Sequence, residues 1–270
     1  MTVDDGRSIR AVILAAGEGK RMGSDVPKVL HPINGKPMIG YCLEAARAAG
    51  IAELVLVIGH GRERVVDAIG GPGVEFVVQD EQLGTGHAVI QARAFIDGFD
   101  GNVVVLYGDM PMLTSDTIRS VIEHRDTTGA AAVVLTIDLE NPPDFGRIVR
   151  DGAGRVVGIV EVRDATPEQL AVREVNVGAY CFDAAALLGA LDRLGSDNAQ
   201  GEYYLTDVVG ILAADGLPVE TLATDQLEET LGINDPEHLA FAEKLRHIRF
   251  AETRYARVDA LARERRPPSA

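Results

Sequence analysis

The chain has 270 residues, of which 46% are hydrophobic, 25% charged and 5% aromatic, with no tryptophan; this composition belongs to a folded protein of one large or two small domains and excludes a disordered or fibrous chain. A formal charge of −15 repels a long anionic polymer, so no nucleic-acid partner is expected. The first 40 residues run against this balance, with six cations to four anions, which suits a small phosphorylated ligand as readily as it suits a chance cluster of solvated charges.

Apolar, β-branched runs alternate with helical patterns from the start. Residues 10–16, 53–59, 74–78, 102–107 and 131–137 read as strands, with helices over 38–49, 62–69, 86–96 and 115–125 between them. This alternation predicts an α/β fold with a doubly wound, mostly parallel, Rossmann-like sheet. The runs Val12-Ile13-Leu14 and Val103-Val104-Val105-Leu106 are continuously apolar, as strands buried on both faces require, and ligands are expected at their carboxyl ends.

At Phe145 the rhythm changes. Two short β segments, 146–150 and 155–162, flank Asp151-Gly152-Ala153-Gly154, which predicts a hairpin within a small β insertion, a lid or substrate lobe over about 144–176. A strand over 172–182, helices over 184–194 and 202–214 and a short strand over 218–223 follow. Residues 1–235 therefore form one domain, and 236–266 a long amphipathic C-terminal helix. Its apolar residues Leu239, Phe241, Leu245, Ile248, Tyr255, Val258 and Leu261 are expected to dock on the domain or on a second copy, leaving a monomer or a homodimer.

Cys42 and Cys181 lie far apart without C-x-x-C spacing, so no disulfide framework or zinc site is indicated and a reducing, cytoplasmic setting fits. No apolar stretch approaches the roughly 20 residues that span a bilayer, so no membrane is expected as a partner.

The chemistry-bearing residues begin at the first strand-to-helix turn. Leu14-Ala15-Ala16-Gly17-Glu18-Gly19-Lys20-Arg21 is a strand emptying into a glycine-rich loop with two cations, the kind of loop whose backbone N–H groups cradle phosphates. It matches neither G-x-G-x-x-G nor G-x-x-x-x-G-K-[ST], which demotes dinucleotide enzymes and P-loop kinases; an ordinary tight turn is the competing reading. Pro27 keeps its segment extended, so that Lys28 can return over the loop. Gln79 and Gln82 precede Gly84-Thr85; a carboxamide can meet both donors and acceptors of a base edge, and Thr85 is a candidate N-cap. Asp109 follows a buried strand at the carboxyl edge, where a carboxylate can hold Mg²⁺ or simply form a turn.

Taken together, Leu14 to Met22, Pro27-Lys-Val-Leu-His31, Gly35-Lys-Pro-Met38, Glu81-Gln-Leu-Gly-Thr-Gly-His-Ala88, Tyr107-Gly-Asp109, Phe145-Gly-Arg-Ile148, Gly158-Ile-Val-Glu161 and Asn198-Ala-Gln-Gly-Glu-Tyr-Tyr204 resemble the bacterial N-acetylglucosamine-1-phosphate uridylyltransferases, a branch of the sugar nucleotidyltransferases. The resemblance runs from about Ala11 to Asn234. It implies UTP and N-acetylglucosamine 1-phosphate as substrates, UDP-N-acetylglucosamine and pyrophosphate as products, and Mg²⁺ as cofactor. By motif it implies that Arg21 and Lys28 grip the phosphates in catalysis, that Leu14, Ala15, Ala16, Gly17, Gln79, Gln82, Gly84 and Thr85 bind the nucleotide, and that Asp109 and Asn234 bind the metal. Tyr107, Gly146, Glu161, Asn176, Tyr203 and Tyr204 are implied at the sugar.

Two departures fall at the expected sugar pocket: Asn176-Val177-Gly178 where the family usually has Asn-Thr-Gly, and Val162-Arg163 after Glu161. They leave open another hexose 1-phosphate, with UTP or dTTP. A non-catalytic nucleotide-sugar sensor is the rival of another class. No hexapeptide period follows Asn234, so the acetyltransferase β-helix that usually partners this domain is not expected here.

Overall fold

The computed structural model describes residues 8–264 of the backbone, with side chains through Arg249 and at Ala251. In chain order it contains β1 (Ser8–Ala15), β2 (Pro32–Ile33), β3 (Lys36–Pro37), α1 (Met38–Ala48), β4 (Glu53–Ile58), α2 (Arg62–Ile69), β5 (Val74–Val78), α3 (Thr85–Gln91), α4 (Arg93–Ile96) and β6 (Gly101–Tyr107). Then come α5 (Ser115–Thr128), β7 (Ala132–Asp138), β8 (Arg147–Arg150), β9 (Val156–Val160), α6 (Pro167–Leu170), β10 (Glu174–Asp183), α7 (Ala184–Leu191), α8 (Asp207–Ala214), β11 (Val219–Ala223) and α9 (Pro236–Glu264). No helix among the described residues is long and apolar enough to cross a membrane.

The main sheet runs β11-β7-β10-β6-β1-β4-β5. β1 pairs in parallel with both β4 and β6, so the strand order turns at β1 and opens a crevice at its carboxyl end, where α/β sheets bind ligands. β10 alone on this path runs antiparallel to its neighbours β6 and β7. The predicted mostly parallel, doubly wound sheet is therefore the observed one.

Strand alternation splits the core in two. Ala11, Ile13 and Ala15 join the cluster under α1 and α5, whereas Val12, Leu14 and Ala16 join the cluster under α3, α4, α7 and α8. Leu14 and Ala16 are thereby turned toward α3, which decides where a ligand at the end of β1 meets apolar surface. A third, small cluster of Ile33, Met38, Ile233 and Ala242 seats the start of α9.

Several sequence expectations shift. The hairpin forms, with Asp151 accepting from the Ala153 and Arg155 amides; β8 pairs with β10 and β9 pairs with β8, so the insertion extends the main sheet. The helix expected over 86–96 breaks at Ala92 into α3 and α4. The one expected over 202–214 begins only at Asp207, because Tyr203 bonds across to the loop before α3: its amide donates to the Leu83 oxygen and its own oxygen accepts from the Gly86 amide. That tertiary pairing overrides local helix propensity.

α9 reads out differently from the predicted stripe. Leu239 and Ala242 face the domain, while Phe241 and Ile248 are 52% and 53% exposed. Cations do much of the docking: the Arg246 guanidinium lies 3.8 Å from the Tyr41 ring centre, and Arg249 donates to the Met112 carbonyl and to Glu228. The side chains of Tyr255, Val258 and Leu261 lie outside the described residues, as do residues 265 and 266.

Candidate active site

The crevice at the ends of β1 and β6 is closed at its base by the Gly108 amide donating to the Leu14 oxygen. From there the chain enters the glycine-rich turn. Gly19 takes φ +63°, and a Cβ on it would stand 2.7 Å from Lys28 Cβ, so only glycine allows both this backbone and the close return of Lys28 over the loop. Gly17, Glu18, Gly19, Lys20, Arg21, Lys28, Gln82, Glu202 and Asn234 line a cleft of about 380 Å³.

Lys28 is the best-anchored cation there. Its Nζ donates to Asp109 Oδ2 at 2.5 Å and to Asn234 Oδ1 at 2.8 Å, and its side chain is only 11% exposed. Asp109 comes from the end of β6, and Asn234 is brought to it because the neighbouring Ile233 amide donates to the Asp109 carbonyl. One carboxylate and one amide oxygen thus converge on a single cationic atom from distant parts of the chain. Among the described residues no group of three or more His, Cys, Asp or Glu converges in this way.

A second cleft of about 200 Å³ adjoins the first. Leu14, Ala16, Gly17, Gln79, Gln82, Gly84, Thr85, Ala88 and Glu202 line it, and Gly17, Gln82 and Glu202 border both. Ala15 is buried at the end of β1 and faces the core under α1 and α5, away from this cleft. Gln79 is buried and donates through Nε2 to the Gly84 oxygen at 3.0 Å. Gly84 takes φ +103°, and a Cβ on it would lie 2.6 Å from the Tyr203 oxygen. This glycine, and not Thr85, occupies the N-cap of α3; the Thr85 hydroxyl accepts from the Leu205 amide instead. Apolar walls, one buried carboxamide and a neighbouring cationic cleft can take a planar base with its phosphates.

The residues assigned to the sugar cluster beyond Tyr107. Gly146 sits against Glu161, with Oε1 3.5 Å from where a Cβ would be, and its oxygen accepts from the Asn176 amide. Asn176 donates to the Tyr180 hydroxyl at 2.6 Å, and Glu161 accepts from Thr206 at 2.9 Å. Burial holds the Glu161 carboxyl above the usual carboxylate range and pushes Tyr107 up to about 12. Asp207, at the start of α8, is pushed up to about 6 by burial and by the Glu161 and Asp164 carboxylates. Tyr204 is buried beside this group, its hydroxyl accepting from Gln200. Tyr203 stands apart from it: its ring centre lies 6.2 Å from that of His87, on the base side.

Val177 is also placed differently from the expectation. Val175, Val177, Ala179 and Cys181 share one face of β10 and are packed in the core under α1 and α5, while Asn176 and Tyr180 share the other. Strand parity therefore turns Val177 away from Asn176, and the missing threonine hydroxyl is not a loss at the Asn176 side of the pocket. Sequence reasoning passed over Glu202, which borders both clefts, and Asp207; the first stands inside the Gln-Gly-Glu-Tyr-Tyr string, and the second carries no local signal.

The chain is similar to known proteins over most of its length. The family described as MobA-like NTP transferase domain matches residues 11–208. The bifunctional protein GlmU of Geobacter metallireducens is 49% identical over 235 residues, which cover 87% of this chain and 49% of that protein. The GlmU of Pelobacter propionicus is 47% identical over 239 residues, 88% of this chain and 52% of that protein. The chain spans about half the length of the curated relatives it matches. Among solved structures, a putative glucose-1-phosphate thymidylyltransferase from Bacillus anthracis, in complex with a sucrose, superposes with a TM-score of 0.71 at 23% identity, covering 88% of this chain and 95% of that one, a likeness of fold.

Proposed function

Because the chain belongs to the family of MobA-like NTP transferase domains and is a nucleotidyltransferase, we propose that it transfers uridylyl from UTP to N-acetylglucosamine 1-phosphate, giving UDP-N-acetylglucosamine and pyrophosphate. The observation that carries this reading is the joining of a base-sized cleft around Gln79 to a cationic cleft around Arg21 and Lys28 at the turn of the strand order. Glu161, Gly146 and Asn176 lie together beyond Tyr107, where a hexose attached to an attacking phosphate would extend. The two buried cysteines suit a reducing, cytoplasmic setting.

In the proposed reaction an oxygen of the sugar phosphate forms a bond to the α-phosphorus of UTP as the bond from that phosphorus to the β-bridging oxygen breaks, and pyrophosphate leaves with the electron pair. The nucleophile is an anion at neutral pH. It needs no general base, and catalysis reduces to holding two polyanions in line and neutralising the charge between them. Arg21 and Lys28 supply fixed positive charge, the glycine-rich turn brings backbone N–H groups to the phosphates, and Gln79 orients the base.

Asp109 Oδ2 and Asn234 Oδ1 fit a divalent cation of the Mg²⁺ kind, since two oxygens already converge on one positive atom and such an ion takes its remaining ligands from phosphates and water. When bound, it would neutralise phosphate charge and steady the leaving pyrophosphate. The test is pyrophosphate release with Mg²⁺, pairing UTP, CTP, dTTP and ATP in turn with N-acetylglucosamine 1-phosphate and glucose 1-phosphate. The fastest turnover is expected for UTP with the acetamido sugar; a clear preference for another pair reassigns the substrates.

A further inference from the structure

Gln79 is 3% exposed and lines the base cleft. Its Nε2 lies 3.0 Å from the Gly84 oxygen and 3.0 Å from His87 Nδ1. A backbone carbonyl only accepts, so Gly84 identifies the nitrogen end of the carboxamide. That nitrogen carries two hydrogens. One goes to Gly84, and the other is directed at Nδ1, which must then be the unprotonated nitrogen of the ring. The ring proton then belongs on Nε2, which lies 3.0 Å from Gln91 Nε2; the Gln91 amide is tied to the His87 carbonyl only at 3.4 Å, a weaker hold than that of Gln79 on Gly84 at 3.0 Å, so of the two carboxamides it is Gln91 that turns its oxygen to this proton. With both hydrogens engaged, Gln79 has only acceptor capacity left in Oε1 to offer a base.

Uracil and cytosine differ at this point of their edge. Uracil carries a hydrogen on ring N3, and cytosine carries a lone pair there. An amide locked with its oxygen outward pairs with the first and repels the second. The Gly84 oxygen, which also accepts from the Ala88 amide, engages one hydrogen and leaves the other free to pivot toward the cleft, where it would match cytosine. His87 removes that freedom.

We infer that His87, which touches no substrate atom itself, is the positioning residue that sets the polarity of the Gln79 carboxamide and thereby makes the site select a uracil over a cytosine nucleotide. The inference rests on the uridylyl reading above. It gives a reason for the histidine two residues after Thr85: at that step α3 points the ring back at the end of β5, from which Gln79 follows directly. The Tyr203 ring stands beside the imidazole, with ring centres 6.2 Å apart, and its backbone is tied to Leu83 and Gly86, so the imidazole has a fixed neighbour as well as its bonds.

The experiment compares kcat/KM for UTP and CTP, with N-acetylglucosamine 1-phosphate and Mg²⁺, in the wild type and in His87→Phe, His87→Asn and His87→Ala, together with calorimetric binding of each nucleotide alone. His87→Phe keeps a ring and loses the acceptor; the UTP-to-CTP ratio is expected to fall about tenfold or more, in binding as well as in kcat/KM. His87→Asn places an oxygen where Nδ1 lay, and the ratio is expected to stay near the wild-type value. Should His87→Phe fail to fold, His87→Ala carries the comparison, because it removes the acceptor without adding bulk at a half-buried position. A ratio unchanged in the acceptor-free variants, with both nucleotides weakened alike, overturns the assignment and leaves His87 a packing residue. A wild type that does not prefer UTP over CTP overturns the uridylyl reading and the inference with it.

Discussion

Lys28 holds with one ammonium group the same two oxygens, Asp109 Oδ2 and Asn234 Oδ1, that a divalent cation would take. On the proposed reading, metal and ammonium would compete for them until a polyphosphate drew Lys28 away. Mn²⁺ titrated into the nucleotide-free protein, followed by electron paramagnetic resonance, is expected to bind more tightly to Lys28→Met than to the wild type; equal affinities would remove Lys28 from the competition. Asp109→Asn keeps the shape and weakens the hard-cation ligand, so kcat is expected to fall by roughly a thousandfold with an unchanged melting temperature. Near-normal turnover at saturating Mg²⁺ would remove Asp109 from the site. Gly84 carries a backbone demand as well as a steric one, with φ +103° and the Tyr203 oxygen in the way of any Cβ. Gly84→Ala is expected to cost about 1–3 kcal/mol of stability, measured by urea unfolding, and to weaken UTP binding by displacing the oxygen that holds Gln79.

α8 begins with a carboxylate it would be more stable without at neutral pH. The folded value for Asp207, about 6, lies above the ~3.9 of an unfolded aspartate, so through that window the folded form binds more protons than the unfolded one. Its contribution to stability is full below about pH 4 and is lost as the pH rises to about 6. Asp207→Asn should raise the melting temperature at pH 8 and leave it nearly unchanged at pH 4; a gain of equal size at both would place its cause elsewhere. At α9 the dependence runs from packing to chemistry. Ala242 is fully buried with Ile233, the residue before Asn234, so Ala242→Asp is expected to unseat the helix, lowering the melting temperature and turnover together. Full activity in a variant with a loosened helix would uncouple the two. These elements also show what a sequence can carry. Buried strands such as β6 announce themselves as unbroken apolar runs, and α2 and β5 fall on their predicted bounds. The direction of β10 has no such signature, because period-two alternation is the same in either direction. The loss of helix over 202–206 is set by the Leu83–Gly86 loop, more than a hundred residues away. At the site, Lys28, Asp109 and Asn234 were nameable by motif, but that their polar atoms meet at one point depends on the Ile233–Asp109 backbone bond, which no local pattern encodes.

The molecule as a whole carries two thiols that report on its integrity. Cys42 is pushed up to about 12 by burial and by Asp109, and burial raises Cys181 as well; both are packed in the core under α1 and α5. Alkylation of either by iodoacetamide is expected to be negligible in the native protein and to follow the global unfolding transition in denaturant; labelling at the rate of a free thiol without denaturant would contradict this. The sheet order has an effect of another kind. β1 and the glycine-rich turn are made first, β6 and Asp109 follow, and Asn234 joins them only after β11 has been laid against β7 at the far edge. During synthesis, then, every strand of the sheet exists before the last oxygen of the site does. On the proposed reading, a chain lacking Asn234 would carry every residue of the base cleft with the cation pair unfinished, so such a fragment would bind nucleotide before it could consume it, and transfer would wait for the segment that brings this residue.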